Sequence, residues 1–213
     1  MSNLNKFQRE FWKGEFGDSY VDRNISVEET DAIYKERTGR TFEEIFRNLF
    51  SDIDKETKII ELGCNVGLKL TILEKLGFKN LTGVEINKKA YEVAKKTHPN
   101  IKFYNSSIED FDPGNERFDL VYTSGVLIHI HPDAINEIIS KIIRLSNKYI
   151  IDAEYFSEEL VEVDYRGHEK TLWKQNFPKL FLNQDKNLQI IKEEKVFWKN
   201  ENLTDIFYLM QKI

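Results

Sequence analysis

The pattern of apolar and polar positions changes character twice along the chain. Over the first fifty residues it is helical. Thr41-Phe42-Glu43-Glu44 has the form of a capping box, and Phe42, Ile45, Phe46, Leu49 and Phe50 make an apolar stripe behind it. From residue 57 short apolar runs alternate with amphipathic stretches. Lys58-Ile59-Ile60-Glu61-Leu62 predicts a strand, and Leu68, Ile72 and Leu76 line one face of the helix after it, with Gly77 at its end. Leu81-Thr82-Gly83-Val84 predicts a second strand, followed by a helix that opens at Asn87 and stops before Pro99. Residues 101–104, 118–122 and 148–151 predict three more strands. Before the last of them a helix begins near Pro132, with Ile135, Ile138, Ile139 and Ile142 at core spacing. Strands separated by helices imply a parallel sheet with right-handed crossovers. The rhythm breaks at 155–187, an aromatic and charged segment. Two β-rich runs, about 188–198 and 203–212, then flank Lys199-Asn200-Glu201-Asn202 and read as an antiparallel hairpin closing the sheet.

Composition narrows the class. The chain has 213 residues and is 40% hydrophobic, enough for one sizeable core, and it has no linker-like stretch or repeat. One domain is therefore expected over 1–213: a helical N-terminal lid (1–56), a cofactor-binding core (57–154), an acceptor-side insertion (155–187) and a C-terminal hairpin (188–213). Against 31 Lys+Arg stand 36 Asp+Glu, a net charge of −5, which provides no basic field for a phosphate backbone and argues against a nucleic-acid partner. The single Cys64 has no partner for an internal disulfide, which suits a reducing cytoplasm. The first residues lack a secretory h-region, and stretches such as 125–130 are too short to span a bilayer, so no membrane association is expected.

The main chemical signal is Glu61-Leu62-Gly63-Cys64-Asn65-Val66-Gly67, between the first strand and its helix. Glycines there let backbone amides approach a ligand at the carboxyl ends of the strands. A P-loop needs four residues between its glycines and a Lys-Ser/Thr after them; here three intervene and Leu68 follows. A dinucleotide fingerprint needs a third glycine where Leu68 stands. The spacing resembles the first motif of S-adenosylmethionine-dependent methyltransferases, with Asn65 at the usual middle glycine. Asn tolerates the left-handed backbone region best among the other residues. Glu85, 22 residues after Gly63, ends the second strand where an acid accepts hydrogen bonds from ribose hydroxyls. Ile86 follows it. Ser107 and Ile108 lie in a loop where methyltransferases of this type border the adenine, and Ser124 and Gly125 end the fourth strand.

His129, in Ile128-His129-Ile130-His131-Pro132-Asp133, is the candidate base, because imidazole is tunable near neutral pH. No metal is expected: the His131 and Asp133 spacing fits no standard ligand set, and Pro132 starts a helix. Residues 11–24 carry Phe11, Trp12, Phe16, Tyr20 and Asn24 around two glycines and suit a lid, with Tyr20 and Asn24 closing over the cofactor's methionine end. Residues 163–177 combine Tyr165, Arg166, His168 and Trp173, the expected acceptor-binding set.

Taken in order, FWKGEFGDSYVDRN, ELGCNVG, SGVLIHIHPD and YRGHEKTLWKQNF resemble the pseudaminic acid biosynthesis-associated methylases, from about residue 7 to 210. Gln175-Asn176 stand where that pattern carries Arg-Asp. The resemblance implies a Rossmann-like class I methyltransferase fold: a mostly parallel seven-stranded sheet with an antiparallel C-terminal strand and an N-terminal helical lid. It implies S-adenosylmethionine as donor, S-adenosylhomocysteine as product, and a small acceptor related to a nonulosonic acid sugar. Gly63, Cys64, Asn65 and Gly67 then hold the cofactor's amino-acid portion, with Glu61 of the same motif among the cofactor-binding residues. Three alternatives stay open: a protein or RNA methyltransferase, an NAD-dependent enzyme, and a cofactor-binding sensor without turnover.

Overall fold

Strand β1 (Lys58–Leu62) is buried on both faces, which forces it to the middle of a sheet. The computed structural model, which describes residues 5–23, 26–199 and 203–213, places it there. Strand β1 pairs in parallel with β2 (Asn80–Glu85) on one side and β4 (Phe118–Ser124) on the other. Beyond β2 lies β3 (Lys102–Asn105), and beyond β4 lies β5 (Ser146–Tyr155), again parallel. The seven-stranded sheet is completed by β9 (Thr204–Lys212), antiparallel to β5, and β8 (Leu188–Phe197) at the edge, giving the order β3-β2-β1-β4-β5-β9-β8.

Within the C-terminal hairpin it is thus the second strand that joins the sheet and the first that forms its edge. The sequence carries the reason. Residues 205–210 are buried without a break, whereas β8 alternates exposed Gln189, Lys195 and other polar residues along its length. An edge strand with charged positions resists pairing with other chains.

Two apolar layers cover the sheet. Ile59, Tyr122, Phe207 and Leu209 face α4 (Phe42–Leu49) and α5 (Leu68–Lys75), packing on Phe46, Leu49 and Leu73. Their neighbours Ile60, Val121 and Met210 point the other way, toward Ile135, Ile139 and Ile142 of α7 (Pro132–Leu145) and Phe181 of α8 (Phe177–Gln184). This is the period-two alternation of a strand serving two layers at once. Local signals match the ends of the helices. Thr41 and Glu44 make the reciprocal capping box of α4, Asn87 caps α6 (Lys88–Thr97), and Pro132 is the first residue of α7.

Residues 155–187 add a second sheet. Strands β6 (Val161–Tyr165) and β7 (His168–Lys174) form a hairpin, and Tyr165 pairs with His168 across the two-residue turn Arg166-Gly167. Both turn residues have positive φ, 56° and 80°, the handedness that matches strand twist. The alternation of Val161, Val163 and Tyr165 was the available signal, obscured by the exposure of most of β6.

Three short helices, α1 (Lys6–Lys13), α2 (Glu15–Val21) and α3 (Val27–Thr38), lie over the carboxyl ends of the strands. Polar contacts strap α1 down: Asn5 donates to Glu109 and accepts from the His131 amide, Gln8 donates to the Lys170 carbonyl, and Arg9 pairs with Asp110. Asn87 donates to the Trp12 carbonyl and to Asp18, pinning the α1–α2 elbow above β2. Gly17 makes that elbow possible, since a Cβ there would meet the Trp12 carbonyl oxygen at 1.9 Å.

Candidate active site

The sheet order reverses between β1 and β4, and the crevice beyond their carboxyl ends is where an open parallel sheet binds ligands. A cavity of about 410 Å³ occupies it. Its floor is the loop 63–66, then Glu85 and Ile86 after β2, Ser106 to Glu109 after β3, and Ser124 to Val126 after β4; Trp12 and Tyr20 help to roof it.

The glycine loop is shaped for contact. Gly63 has φ +78°, and a Cβ on it would meet Val126 Cγ2 at 2.5 Å, so only glycine fits between the β1 and β4 loops. Asn65 adopts φ 50°, the left-handed conformation expected of it. Its amide donates to Glu85 Oε2 at 2.7 Å, and the Asn87 amide donates to Oε1 at 2.7 Å. One buried carboxylate therefore fixes the glycine loop and the start of α6 together. Burial pushes the Glu85 pKa up, and these amides pull it back. Asn65 Oδ1 is buried at the cavity wall without a partner among the described residues. A free acceptor, a carboxylate with spare lone pairs and a wall without a Cβ fit the ammonium, diol and backbone-contact needs of an amino-acid nucleoside such as S-adenosylmethionine.

The other expected cofactor residues divide. Tyr20, Cys64, Ile86, Ser107, Ile108, Ser124 and Gly125 line the cavity. Ser107 Oγ donates to Asp110 and accepts from its amide. Asn24 lies outside the described residues. Gly67 caps α5 and packs near Phe103 and His98, away from the cavity wall. Glu61 lies below the loop, accepting from the Tyr122 hydroxyl at 2.9 Å, and it too is off the wall. Burial drives its pKa to about 8, with Lys69 opposing. Between about pH 4.5 and 8 the folded protein then holds a proton that the unfolded chain has lost, so Glu61 makes stability fall as pH rises through that window. Glu154, raised to about 7 by burial, acts with the same sign. In urea titrations at both ends of the window, Glu61→Gln is expected to flatten the wild-type fall in midpoint. Equal slopes would remove Glu61 as its source.

His129 closes the cavity on the β4 side. Its Nδ1 lies 2.6 Å from the Thr171 carbonyl oxygen; a carbonyl only accepts, so Nδ1 carries the proton and Nε2 is left as acceptor. Trp12 and Tyr165 pack on the ring at centroid distances of 4.7 and 5.0 Å. Burial pulls the imidazole pKa down to about 4, so the ring is neutral at neutral pH. His131 instead caps α7, accepting from the Asp133 amide.

Of the four residues expected on the acceptor side, Tyr165 and Arg166 reach the cavity. His168 is exposed, its ring edge against Phe11 and Phe16. Trp173 is buried against His131. The fold also brings in residues not singled out from sequence. Glu154, at the end of β5, accepts from the amides of Val126, Leu127 and Ile128. At the far end stand Tyr34, Arg37, Trp198 and Asp205, with the Asp205 carboxylate accepting from Tyr34 and Trp198. Two acids in the apolar run Ile150-Ile151-Asp152-Ala153-Glu154 were a readable signal of something beyond packing.

Residues 59–148, from β1 through the glycine loop to the start of β5, match the family described as a methyltransferase domain. No curated protein matches the sequence. Among solved structures, the chain is similar to the Burkholderia thailandensis 1,6-didemethyltoxoflavin-N1-methyltransferase, crystallised with its acceptor and S-adenosylhomocysteine. That likeness has a TM-score of 0.72 at 16% identity over 100% of this chain and 91% of that one. It is similar to the magnesium protoporphyrin IX methyltransferase ChlM of Synechocystis PCC 6803, with TM-score 0.72 and 13% identity over 98% and 99% of the two chains. A [4+2]-cyclase, SpnF, also shares the fold, with TM-score 0.62 and 10% identity over 80% and 81%. The fold is the Rossmann-like class I methyltransferase fold.

Proposed function

We propose that the protein transfers a methyl group from S-adenosylmethionine to a small acceptor, one related to a nonulosonic acid sugar of the pseudaminic type. The observation that carries this reading is the single cavity joining the Gly63–Val66 loop and Glu85 to His129, Tyr165 and Arg166, in a chain whose residues 59–148 match a methyltransferase domain. Two of the similar structures are methyltransferases named for small molecules, a didemethyltoxoflavin and magnesium protoporphyrin IX, which favours a small acceptor over a macromolecule. The sequence resemblance favours a sugar acid.

When bound, S-adenosylmethionine supplies an activated methyl on a sulfonium, so the protein's work is alignment and exclusion of water. The Gly63–Val66 loop, its backbone fixed by Val84 and Glu85, and Asn65 Oδ1 border the amino-acid portion, Glu85 the ribose hydroxyls, and Ser107 and Ile108 the adenine edge. His129, neutral and with Nδ1 committed to Thr171, presents Nε2 to accept the hydrogen of an acceptor hydroxyl or amine and to orient its lone pair. Arg166 offers two-pronged binding to an acceptor carboxylate or phosphate.

The test is S-adenosylhomocysteine release with a pseudaminic acid-type acceptor, free and nucleotide-activated, with mass spectrometry to locate the methyl. Acceptor-dependent release supports the reading; cofactor binding with no release from either form sinks the acceptor assignment. Arg166→Ala is expected to raise the acceptor KM at least tenfold while leaving S-adenosylhomocysteine affinity intact. Equal damage to both would assign Arg166 to the turn it occupies.

A further inference from the structure

Lys69 occupies a position where a lysine is electrostatically misplaced. It is the second residue of α5, whose first turn has no acid and whose N-cap, Gly67, has no side chain to cap it. The unpaired amides of a helix N-terminus repel a cation and favour an anion. No carboxylate comes within ion-pair distance of Lys69 among the described residues. Glu61 feels its charge but is below the loop and bonded to Tyr122. What Lys69 does contact is the Ser124 carbonyl, at 3.4 Å, and the Phe42 ring, 5.3 Å from Nζ to centroid. The half-buried side chain thus reaches from the helix after the glycine loop to the end of β4, along the cavity wall.

The sheet provides a ruler for what belongs there. Adjacent strands are about 4.8 Å apart, and the expected contacts run across them in order: Ser107 after β3, Glu85 after β2, the glycine loop after β1, Lys69 with Ser124 at β4. An elongated ligand with adenine at β3 and ribose at β2 brings its amino-acid end to β1 and β4. The other cations on the wall lie elsewhere. Arg9 pairs with Asp110 beyond β3, Arg166 is on the β6–β7 turn, and the exposed Arg37 stacks on Trp198 at the far end.

We infer that Lys69 is the carboxylate anchor of this site, pairing with the α-carboxylate of the cofactor's amino-acid portion beside the amides of the first turn of α5. This rests on the function proposed above. The Ser124 carbonyl that now accepts from Lys69 is then left to accept from the neighbouring ammonium, so the two ends of one zwitterion meet groups of opposite character.

Calorimetry with two probes tests it: S-adenosylhomocysteine, and 5′-methylthioadenosine, which keeps the adenosine and sulfur but lacks the amino-acid portion. Lys69→Met is expected to weaken S-adenosylhomocysteine roughly tenfold to a hundredfold, the range for a lost charge-assisted hydrogen bond, and to leave 5′-methylthioadenosine unchanged. Lys69→Arg is expected to retain most of the affinity. Unchanged S-adenosylhomocysteine binding by Lys69→Met would overturn the inference, and so would equal weakening of both probes, which would make Lys69 a support of the loop. A wild-type protein that binds neither probe would instead refute the proposed function itself.

Discussion

Glu154→Ala is expected to lower unfolding stability by about 3 kcal/mol, because it leaves buried amides unpaired, each costing about 1–3 kcal/mol. The Glu154 oxygens accept from Val126, Leu127 and Ile128, with the two Val126 contacts at 3.1 and 2.9 Å. These amides belong to the turn that carries His129, so the loss reaches the site as well as the fold. Burial beside Asp152, two residues earlier on the same strand, raises both carboxyls, Glu154 to about 7. Urea unfolding measures the effect. A change below about 1 kcal/mol, the net value of one ordinary hydrogen bond, would mean that water replaces the carboxylate without cost.

The second large effect is on binding. Glu85→Ala is expected to weaken S-adenosylhomocysteine by about 3 kcal/mol, somewhat over a hundredfold. Two losses combine: the proposed acceptor for the ribose hydroxyls, and the anchor that holds the amides of Asn65 and Asn87. Glu85→Gln keeps the shape but places an amide donor against one of those two N–H groups, and an intermediate loss is expected. Calorimetry on the folded variants separates the contributions. Unchanged affinity in both would remove Glu85 from the ligand.

The N-terminal helices bear on both results. Trp12 packs on His129 and its backbone carbonyl accepts from the Asn87 side chain, so the α1–α2 elbow touches the two sides of the cavity that Glu154 and Glu85 organise. Every polar strap on α1 runs to a loop at the carboxyl ends of the strands or to the β6–β7 hairpin. The roof is therefore built from the same loops that make the floor.

Much of this molecule is written locally. The strand–loop–helix around Gly63, the Asn87 cap, the Pro132 start and the Thr41 box depend on residues within a few positions of one another, and such signals are legible without a fold. Glu85 and Asn65 could be named for the same reason: each stands at a strand's carboxyl end, where an open parallel sheet always places its site. The sequence by itself therefore determined the layered α/β architecture, the parallel core and the place of Glu85 and Asn65 at the crevice.

Long-range choices were made only in three dimensions. Which strand of the C-terminal hairpin meets β5 depended on which could be buried on both faces. Whether Tyr165 and Arg166 reached the cavity while His168 and Trp173 turned away depended on a two-residue turn and on what each side of β7 packs against. Glu154 and Lys69 gained their roles from partners 26 to 28 and 55 residues away. A buried charge is costly unless something answers it, and that answer comes from whichever backbone the fold brings near. Periodicity describes a residue's own element, and so it carries no record of that partner.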